Sequence, residues 1–361
     1  MIPVTKTYLP PLKEYQAYLK KIWEKGWITN HGVYVNELEE KLKSHLNIKY
    51  LRCLSNGTLA LQIAIKSLEL KGEIITTPFS YVATTDAILW ENCTPVYVDI
   101  DPETLTIDPK KIEAAITKKT TAILATHVYG NPCDVEAIAK IAKKYKLKVI
   151  YDAAHSFGSE YKGKSVFSYG DISITSFHAT KLFHTVEGGA IFTNSKQLDH
   201  KNSYLRNFGH NGPEKFFGIG TNAKMSEVNA AMGLCNLPKV ETIMKAREQA
   251  SKRYMKNLLS IKDINYPKIR KGTIYNYAYF PVIFNSEKEL LNVIKTLYAN
   301  NIFPRRYFYP SLNTLGFSKS QKMPVSESVS KRVLCLPLFS GITNKEIDLV
   351  SKLIIEALKI K

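Results

Sequence analysis

Hydrophobic and polar positions follow two alternating patterns over most of this chain. Short apolar runs bounded by turn residues, such as LKVIYD, ISITSF and AIFT between residues 147 and 193, are typical of buried strands. Segments between such runs, for example CDVEAIAKIAKKY, carry apolar residues at helical spacing. Strands that alternate with helices predict a mostly parallel sheet covered by helices, and the alternation continues to about Leu237.

The pattern changes after that point. VETIMKAREQASKRYMKNLLS predicts a long helix that bridges two domains. Beyond it, NYAYFPVIF and VLCLPLF predict strands, while EKELLNVIKTLYANN and EIDLVSKLIIEALK predict helices. We therefore expect an α/β protein with a large domain over residues 1–240 and a smaller C-terminal α/β domain over residues 241–361.

The charge balance narrows the classes of partner. The chain has 50 Lys and Arg residues against 32 Asp and Glu residues, a formal net charge of +18. Such an excess attracts nucleic acids, membrane surfaces or phosphorylated metabolites. The lysines are spread along helix-like segments such as AKIAKKYKLK, and no DNA- or RNA-reading motif is present. A phosphate-bearing small substrate is therefore favoured, and no nucleic-acid partner is expected.

The lengths of the apolar runs and the distribution of the cysteines indicate the cellular compartment. No apolar run approaches the roughly 20 residues of a membrane span, and the first residues lack the apolar core of a signal peptide. The five cysteines are dispersed and form no CxxC pair. That usage is typical of core thiols in a reducing compartment. We expect a cytoplasmic protein without a metal site or a membrane anchor.

Two residues at predicted strand ends suggest a chemistry. Asp152 closes the run LKVIYD, and Lys181 follows the run ISITSF. Ligands of α/β proteins bind at the carboxyl ends of the strands, so a carboxylate and an amine could meet over one ligand. Pyridoxal phosphate (PLP) enzymes need this pair, because a lysine holds the cofactor covalently and an acid keeps its pyridine nitrogen protonated. Alternatively, Asp152 caps a loop and Lys181 is one solvated lysine among many. The spacing alone does not decide.

A second feature fits an anionic ligand. Gly57 and Thr58 follow the predicted strand YLRCLSN and open the helix LALQIAIKSL. A helix start presents free backbone N–H groups and the positive end of the helix dipole, which suits a phosphate. An ordinary strand–helix turn with a Thr near the cap would look the same.

The sequence motifs in these segments resemble those of one protein family. DAAHSFG, GDISITSFHATKLF and EGGAIFTN are similar to the DegT/DnrJ/EryC1/StrS sugar aminotransferases, which belong to the fold type I (aspartate aminotransferase-like) PLP enzymes. The resemblance runs from GWITNHG near the start to YFYPSL near the end. SFHATK followed by EGG is close to the form found in enzymes acting on dTDP-linked keto-deoxyhexoses. Related dehydratases have histidine in place of the lysine, whereas this chain has Lys181.

The resemblance implies roles for individual residues. Lys181 would hold PLP and move protons, and Asp152 would face the pyridine nitrogen. A homodimer with shared sites is implied, because the family's counterpart of Asn222 reaches the cofactor phosphate of the neighbouring subunit. The other implied cofactor residues are Ser176 with Gly57 and Thr58 at the phosphate, Tyr81 over the ring with Phe79 nearby, and His155 beside the phenolic oxygen.

Substrate residues are implied near both ends of the chain. Trp27, Thr29 and Asn30 in GWITNHG would lie close to a nucleotide-sugar, and Arg305, Arg306 and Tyr309 in NIFPRRYFYPSL would help to close over it. Alternatives remain for several positions. Residues 27–30 could form an ordinary loop with no binding role. Tyr81 could be a core aromatic residue, and Asn222 could be the N-cap of a helix. His127 could border the sugar or be structural.

Taken together, the resemblance implies a PLP-dependent aminotransferase that uses L-glutamate to aminate a nucleotide-linked, dTDP-type keto-6-deoxyhexose. C-4 is favoured over C-3, because the 4-keto sugar comes directly from a common dehydratase whereas the 3-keto isomer needs a further isomerase. The product would enter a surface polysaccharide such as the O-antigen of lipopolysaccharide, or an antibiotic. Two other classes remain open here: a non-catalytic PLP-binding regulator, and another fold type I reaction such as a dehydratase or an amino-acid aminotransferase.

Overall fold

The structure is a computed structural model, and it describes residues 1–316 and 321–359. The strands are β1 (Ile2–Pro3), β2 (Tyr50–Leu54), β3 (Glu73–Thr76), β4 (Thr94–Tyr97), β5 (Thr120–Thr126), β6 (Lys148–Asp152), β7 (Glu160–Tyr161), β8 (Lys164–Ser165), β9 (Ile172–Ser176), β10 (Gly189–Thr193), β11 (Ile264–Asn265), β12 (Thr273–Ile274), β13 (Phe280–Phe284), β14 (Ile302–Phe303) and β15 (Val333–Leu336). The helices are α1 (Leu12–Lys25), α2 (Val33–Leu46), α3 (Gly57–Ser67), α4 (Val82–Trp90), α5 (Pro109–Ile112), α6 (Val135–Tyr145), α7 (Lys196–Leu205), α8 (Glu227–Asn236), α9 (Val240–Leu258), α10 (Glu287–Ala299), α11 (Pro324–Arg332) and α12 (Asn344–Lys359).

The central sheet has seven strands in the order β2-β10-β9-β6-β5-β3-β4 within the described residues. Strand β10 runs antiparallel to both of its neighbours, and the remaining pairs are parallel. The register pairs Gly189 with Ser176, so residues 177–188 form a loop closed at its base. The expected α/β class with a mostly parallel central sheet is confirmed.

Two apolar layers cover the faces of this sheet. Side chains alternate along a strand, and in β5 Ile123 packs into one layer while Leu124 packs into the other. Helices α2, α6 and α8 contribute to the first layer, and α3, α4 and α7 contribute to the second. Burial on both faces explains why the strands read as continuous apolar runs.

A separate apolar core lies in the C-terminal part. The antiparallel sheet β11-β13-β15 packs there with α10 and α12. Helix α9 joins both parts, because Val240 near its start packs in the first core and Tyr254 near its end packs in the C-terminal core. Strand β1 pairs with β14, so the first residues lie with the C-terminal part. We propose that the domain division falls at residue 240, as the sequence predicts, with β1 attached to the smaller unit.

Three further observations limit the functional classes. Across residues 1–316 and 321–359, no helix is long and apolar enough to cross a membrane. In the same part of the chain, no group of three or more His, Cys, Asp or Glu side chains is placed to hold a metal ion. The five cysteines are all buried and unpaired, as expected for core thiols.

Candidate active site

A cavity of about 310 Å³ lies at the carboxyl edge of the central sheet. The ends of β5, β6 and β9, the start of α3, and Arg305, Tyr307 and Phe308 of the C-terminal part line it. Eight of the residues singled out from the sequence line it: Gly57, Thr58, Tyr81, Asp152, His155, Ser176, Lys181 and Arg305.

Asp152 is buried at the end of β6 and fixed by two hydrogen bonds. Its Oδ2 accepts from the Thr84 hydroxyl at 2.7 Å, and its Oδ1 accepts from the Ala154 backbone N–H at 3.1 Å. Burial raises the pKa of Asp152, while those two donors and the charge of Lys181 oppose the rise. A cationic group bound next to Asp152 would favour the ionised carboxylate again. The protonated pyridine nitrogen of PLP is such a group.

Lys181 lies on the closed 177–188 loop and is partly buried. Its backbone N–H donates to the His178 carbonyl at 2.8 Å, and the loop is closed by the Phe177 N–H, which donates to the Gly188 carbonyl at 2.7 Å. Burial lowers the pKa of Lys181 to about 8, with Asp152 opposing the shift. A larger fraction of the amine is therefore neutral near physiological pH than for an exposed lysine, as a nucleophile requires.

The turn before α3 forms a cradle for an anion. The Asn56 side chain caps this helix by accepting the Leu59 N–H at 2.8 Å, and the N–H groups of Gly57 and Thr58 precede any intrahelical partner. A Cβ atom on Gly57 would lie 3.0 Å from Cβ of Ser176, so glycine lets the helix start approach this side chain closely. Backbone donors, a hydroxyl and the helix dipole together suit a phosphate.

His155 is buried beside the cavity as a neutral imidazole. Its Nδ1 accepts the Tyr129 N–H at 3.3 Å, which leaves the ring proton on Nε2. Burial lowers its pKa well below the ordinary value, and the charge of Lys181 adds to this effect. The ring stacks on Phe308 with centroids 5.5 Å apart. His155 is therefore an oriented hydrogen-bond donor, suited to a ring oxygen that carries negative charge.

Two aromatic residues near the cavity differ in burial. Tyr81 lines the cavity and is 57% exposed, so packing in the core does not account for it. Phe79 is fully buried and packs edge-on against Tyr129 and Phe308. The position of Tyr81 is open to a flat ligand, whereas Phe79 is a core residue.

Some predicted residues lie outside the cavity lining of this chain. Thr29 and Asn30 are exposed in the loop before α2. Asn222 is also exposed; its Oδ1 accepts from Lys224 Nζ at 2.7 Å, and α8 is capped by Ser226, so Asn222 is not a helix cap. Their assignment to substrate and to the partner's phosphate stays a prediction.

The 305–309 segment divides between the cavity and the surface. Arg305 lines the cavity with Tyr307 and Phe308. Arg306 instead pairs with Glu287 at 2.7 Å, and its guanidinium lies 3.5 Å from the ring centroid of Tyr309. Tyr309 is half-exposed and does not line the cavity, so its substrate role also stays a prediction.

His127 has a structural explanation. It is fully buried, its Nδ1 accepts the Cys133 N–H at 3.0 Å, and its ring stacks on Tyr151 with centroids 4.6 Å apart. It does not line the cavity.

Several lining residues were missed from the sequence. Ser80 and Thr126 line the cavity with their hydroxyls 3.0 Å apart. The Ser80 hydroxyl also lies 2.7 Å from that of Thr84, which donates to Asp152. Other lining residues that were missed include His178, Glu187, Tyr307 and Phe308. The hydroxyl residues could have been noticed as a cluster of Ser and Thr at strand ends and at a helix start. His178 and Glu187 lie within the quoted motifs but were assigned no role.

Comparison with known proteins agrees with the geometry. The sequence model described as the DegT/DnrJ/EryC1/StrS aminotransferase family matches residues 12–355. A Shigella dysenteriae protein named dTDP-4-amino-4,6-dideoxy-D-glucose transaminase is 44% identical over 356 residues, which cover 96% of each chain. An Escherichia coli protein of the same name is 39% identical over 365 residues, covering 98% of each chain.

A solved structure shows the same fold. The crystal structure of DesI in the presence of its TDP-sugar product superposes with a TM-score of 0.94 and 30% identity, covering 99% of this chain and 93% of that one. The expected fold type I architecture, the aminotransferase class and the PLP cofactor are thereby confirmed. The chain belongs to the DegT/DnrJ/EryC1/StrS family and is a PLP-dependent aminotransferase.

Proposed function

We propose that this enzyme transfers the amino group of L-glutamate to C-4 of a dTDP-linked 4-keto-6-deoxyhexose. The observation that carries the proposal is the 44% identity, over 96% of both chains, to a relative named as a transaminase of dTDP-4-amino-4,6-dideoxy-D-glucose. The site supports it, because an acid, an amine and a phosphate cradle line one cavity. An intact Lys181 argues against a family dehydratase.

The residues of the chain divide the work. When bound, PLP supplies an electron sink for the bond broken at the substrate carbon. Asp152 would hold the proton on the pyridine nitrogen, and Gly57, Thr58 and Ser176 would bind the phosphate. Lys181 would hold the cofactor until the amino donor displaces it. Its neutral Nζ would then take the proton from the donor α-carbon, and would return a proton to the aminated sugar carbon.

The cavity offers one arginine for anionic substrate groups among the residues described. Arg305 lines the cavity together with Asp152, and its guanidinium lies 5.2 Å from the ring centroid of Tyr307. A guanidinium forms paired hydrogen bonds to carboxylates and phosphates. We propose that Arg305 binds the anionic part of the incoming substrate, either a donor carboxylate or the diphosphate.

The regiochemistry can be tested directly. Purified enzyme, L-glutamate and dTDP-4-keto-6-deoxyglucose are incubated with and without a 3,4-ketoisomerase, and the product is analysed by mass spectrometry and NMR. We expect a 4-amino sugar without the isomerase. Product that forms only with the isomerase would establish the C-3 alternative. GDP- and UDP-linked keto-sugars serve as matched substrates, and a faster reaction with either one would overturn the choice of nucleotide.

We also propose that the enzyme acts as a homodimer with shared sites. Asn222 is exposed and does not line its own chain's cavity. A neighbouring depression of about 640 Å³ shares Asn56 and Thr58 with the active site, and Trp90 and Ile219 on its rim are 76% and 80% exposed. A second copy would cover these apolar side chains.

Complementation tests the shared site. Lys181→Ala and Asn222→Ala chains are each expected to be inactive alone, and mixing them should restore up to about a quarter of the wild-type activity, because one of the two sites in a mixed dimer has both residues intact. Mixed Lys181→Ala and Asp152→Asn chains are the control, since neither hybrid site is complete if both residues act in their own subunit. No recovery despite proven subunit exchange would contradict the proposal.

The cellular setting follows from the proposed product. An amino-deoxysugar attached to a nucleotide is an activated donor for a glycosyltransferase, and we propose a surface polysaccharide such as an O-antigen as its destination. Nucleotide-linked substrates and L-glutamate occur in the cytoplasm, which is where we propose that the enzyme acts.

A further inference from the structure

A histidine and a glutamate in the cavity lining have no part in the roles described above. His178 and Glu187 both lie on the closed 177–188 loop that carries Lys181. His178 Nε2 lies 3.6 Å from Glu187 Oε1. The pair therefore lines the same cavity as Lys181 and lies on the same short segment of backbone.

The hydrogen bonds of His178 define which of its nitrogens can donate. Its Nδ1 accepts the Thr180 backbone N–H at 3.2 Å, and the Thr180 hydroxyl lies 2.8 Å from the same nitrogen. A backbone N–H can only donate, so in the neutral ring the proton is on Nε2. An N–H donor thus faces the carboxylate of Glu187.

The separation of the two groups suits a ligand atom. An N–H···O hydrogen bond spans about 2.7–3.2 Å, so a gap of 3.6 Å leaves both groups unsatisfied by each other. A hydroxyl can accept from Nε2–H and donate to the carboxylate at the same time. A ketone or a carboxylate cannot, because each lacks the donor that Glu187 needs.

The backbone holds Glu187 in place at a conformational cost. Val186 has φ of +70°, a rare conformation for a β-branched residue. Its N–H donates to His184 Nδ1 at 3.2 Å, and the Glu187 carbonyl accepts both the Thr185 hydroxyl at 2.8 Å and the Asn229 side-chain amide. A strained backbone conformation that is held by several neighbouring hydrogen bonds is a recurring feature of functional sites.

We propose that His178 and Glu187 form a subsite for one hydroxyl of the hexose ring and thereby set the sugar's orientation relative to Lys181. The inference rests on the proposed sugar substrate. L-Glutamate has no hydroxyl, and its carboxylates are repelled by the Glu187 charge, so the subsite acts on the sugar and not on the amino donor.

Separating the two halves of transamination tests this assignment. Absorbance of the bound cofactor follows the reaction with L-glutamate alone, and then the reaction of the aminated enzyme with the keto-sugar alone. Glu187→Ala is expected to lower kcat/KM of the sugar half about 10–100-fold, the loss of one hydrogen bond to a charged group, and that of the glutamate half less than about threefold. Glu356→Ala, which removes an exposed carboxylate on α12, is the control. Equal losses in both halves, or no loss in either, would overturn the subsite.

A binding measurement identifies the hydroxyl and does not depend on turnover. In the Lys181→Ala background, calorimetry compares free dTDP, the dTDP-hexose and analogues that each lack one ring hydroxyl. Glu187→Ala should weaken the dTDP-hexose at least about tenfold and leave dTDP unchanged. One analogue should bind equally well with Glu187 present or replaced by alanine, because that analogue lacks the hydroxyl that Glu187 contacts. An equal loss for dTDP, or no such analogue, would refute the proposal.

The two proposals fail differently in these experiments. If the wild-type enzyme reacts with L-glutamate but with no keto-sugar, the proposed function is wrong. The hydroxyl subsite is then judged by the binding comparison, which either shows the Glu187-dependent loss for the hexose or refutes it.

Discussion

Replacing Thr84 by valine tests the support of the buried acid. Thr84 is fully buried on α4, and its single hydroxyl proton goes to Asp152 Oδ2 at 2.7 Å. Ser80 must therefore donate to Thr84, and Thr126 to Ser80, so that the chain of hydroxyls is polarised towards the carboxylate. Valine keeps the branched shape of the side chain but has no hydroxyl, so the series of hydrogen bonds no longer reaches Asp152.

The magnitude follows from the hydrogen bond that is lost. A bond to a charged group contributes about 1.5–3 kcal/mol, and one pKa unit corresponds to about 1.4 kcal/mol. The donor favours the ionised carboxylate, so its removal raises the pKa of Asp152 further, in the same direction as burial. An acid that is harder to ionise stabilises a pyridinium less, so PLP should bind roughly 10–100-fold more weakly.

Linkage gives a second readout without the cofactor. Because the pKa of Asp152 is raised on folding, its ionisation lowers stability as the pH rises from the unfolded pKa to the folded one. In Thr84→Val this loss continues to a higher pH. The stability difference between wild-type and variant cofactor-free protein should therefore be larger at pH 8 than at pH 5.

The assays are a PLP titration followed by absorbance, and thermal unfolding at the two pH values. Thr84→Ser is the matched control, because it keeps the hydroxyl and removes only a methyl group. If Thr84→Val binds PLP within twofold of Thr84→Ser, the hydroxyl does not support Asp152, and the reasoning is refuted.

Three further predictions address the cofactor residues and the core. Burial lowers the pKa of Lys181 to about 8, so the rate at which PLP attaches to cofactor-free protein should rise with pH through about 8 and then level off; borohydride should fix the cofactor on the Lys181 peptide, and a label elsewhere would disprove the assignment. Asp152→Asn should keep the fold by circular dichroism and lose most activity, and wild-type turnover would assign the role to another group. Arg206→Met should cost about 3 kcal/mol in urea unfolding, because it removes the buried cation nearest to the Glu39 carboxylate and leaves that charge with Arg52 at 3.6 Å and the Cys53 N–H; a Glu39→Gln/Arg206→Met double variant should recover part of this loss, and no recovery would contradict a charge effect.

The sheet could be predicted because periodicity reports burial. Runs such as LKVIYD are apolar at every position, since both faces of the sheet are covered. The direction of β10 could not be predicted in this way. An apolar run buried on both faces reads the same in either direction, and it is the closed 177–188 loop that returns the chain antiparallel to β9.

The cofactor site was easier to predict than its supporting residues. Asp152 was expected at the sheet edge because parallel strands end there, whereas its bond to Thr84 joins residues 68 positions apart through specific side-chain rotamers. The Arg305–Arg306 pair shows the same limit. Neighbours in an extended segment point to opposite sides, and the backbone pairing of Arg305 with Cys335 decides that Arg305 faces the cavity while Arg306 turns to Glu287.

The same contrast explains why the reaction class is clearer than the aminated carbon. The groups assigned to PLP stand on strand ends, a helix start and a closed loop, whose positions follow from the fold. The carbon that reacts depends on a rotation of the hexose against Lys181, and near-attack geometry is sensitive to such rotation. In this chain the bond from Phe177 N to the Gly188 carbonyl fixes Lys181 and Glu187 on one loop. If Glu187 and His178 bind a ring hydroxyl as we propose, the identity of that hydroxyl determines whether C-4 or C-3 is presented to the amine.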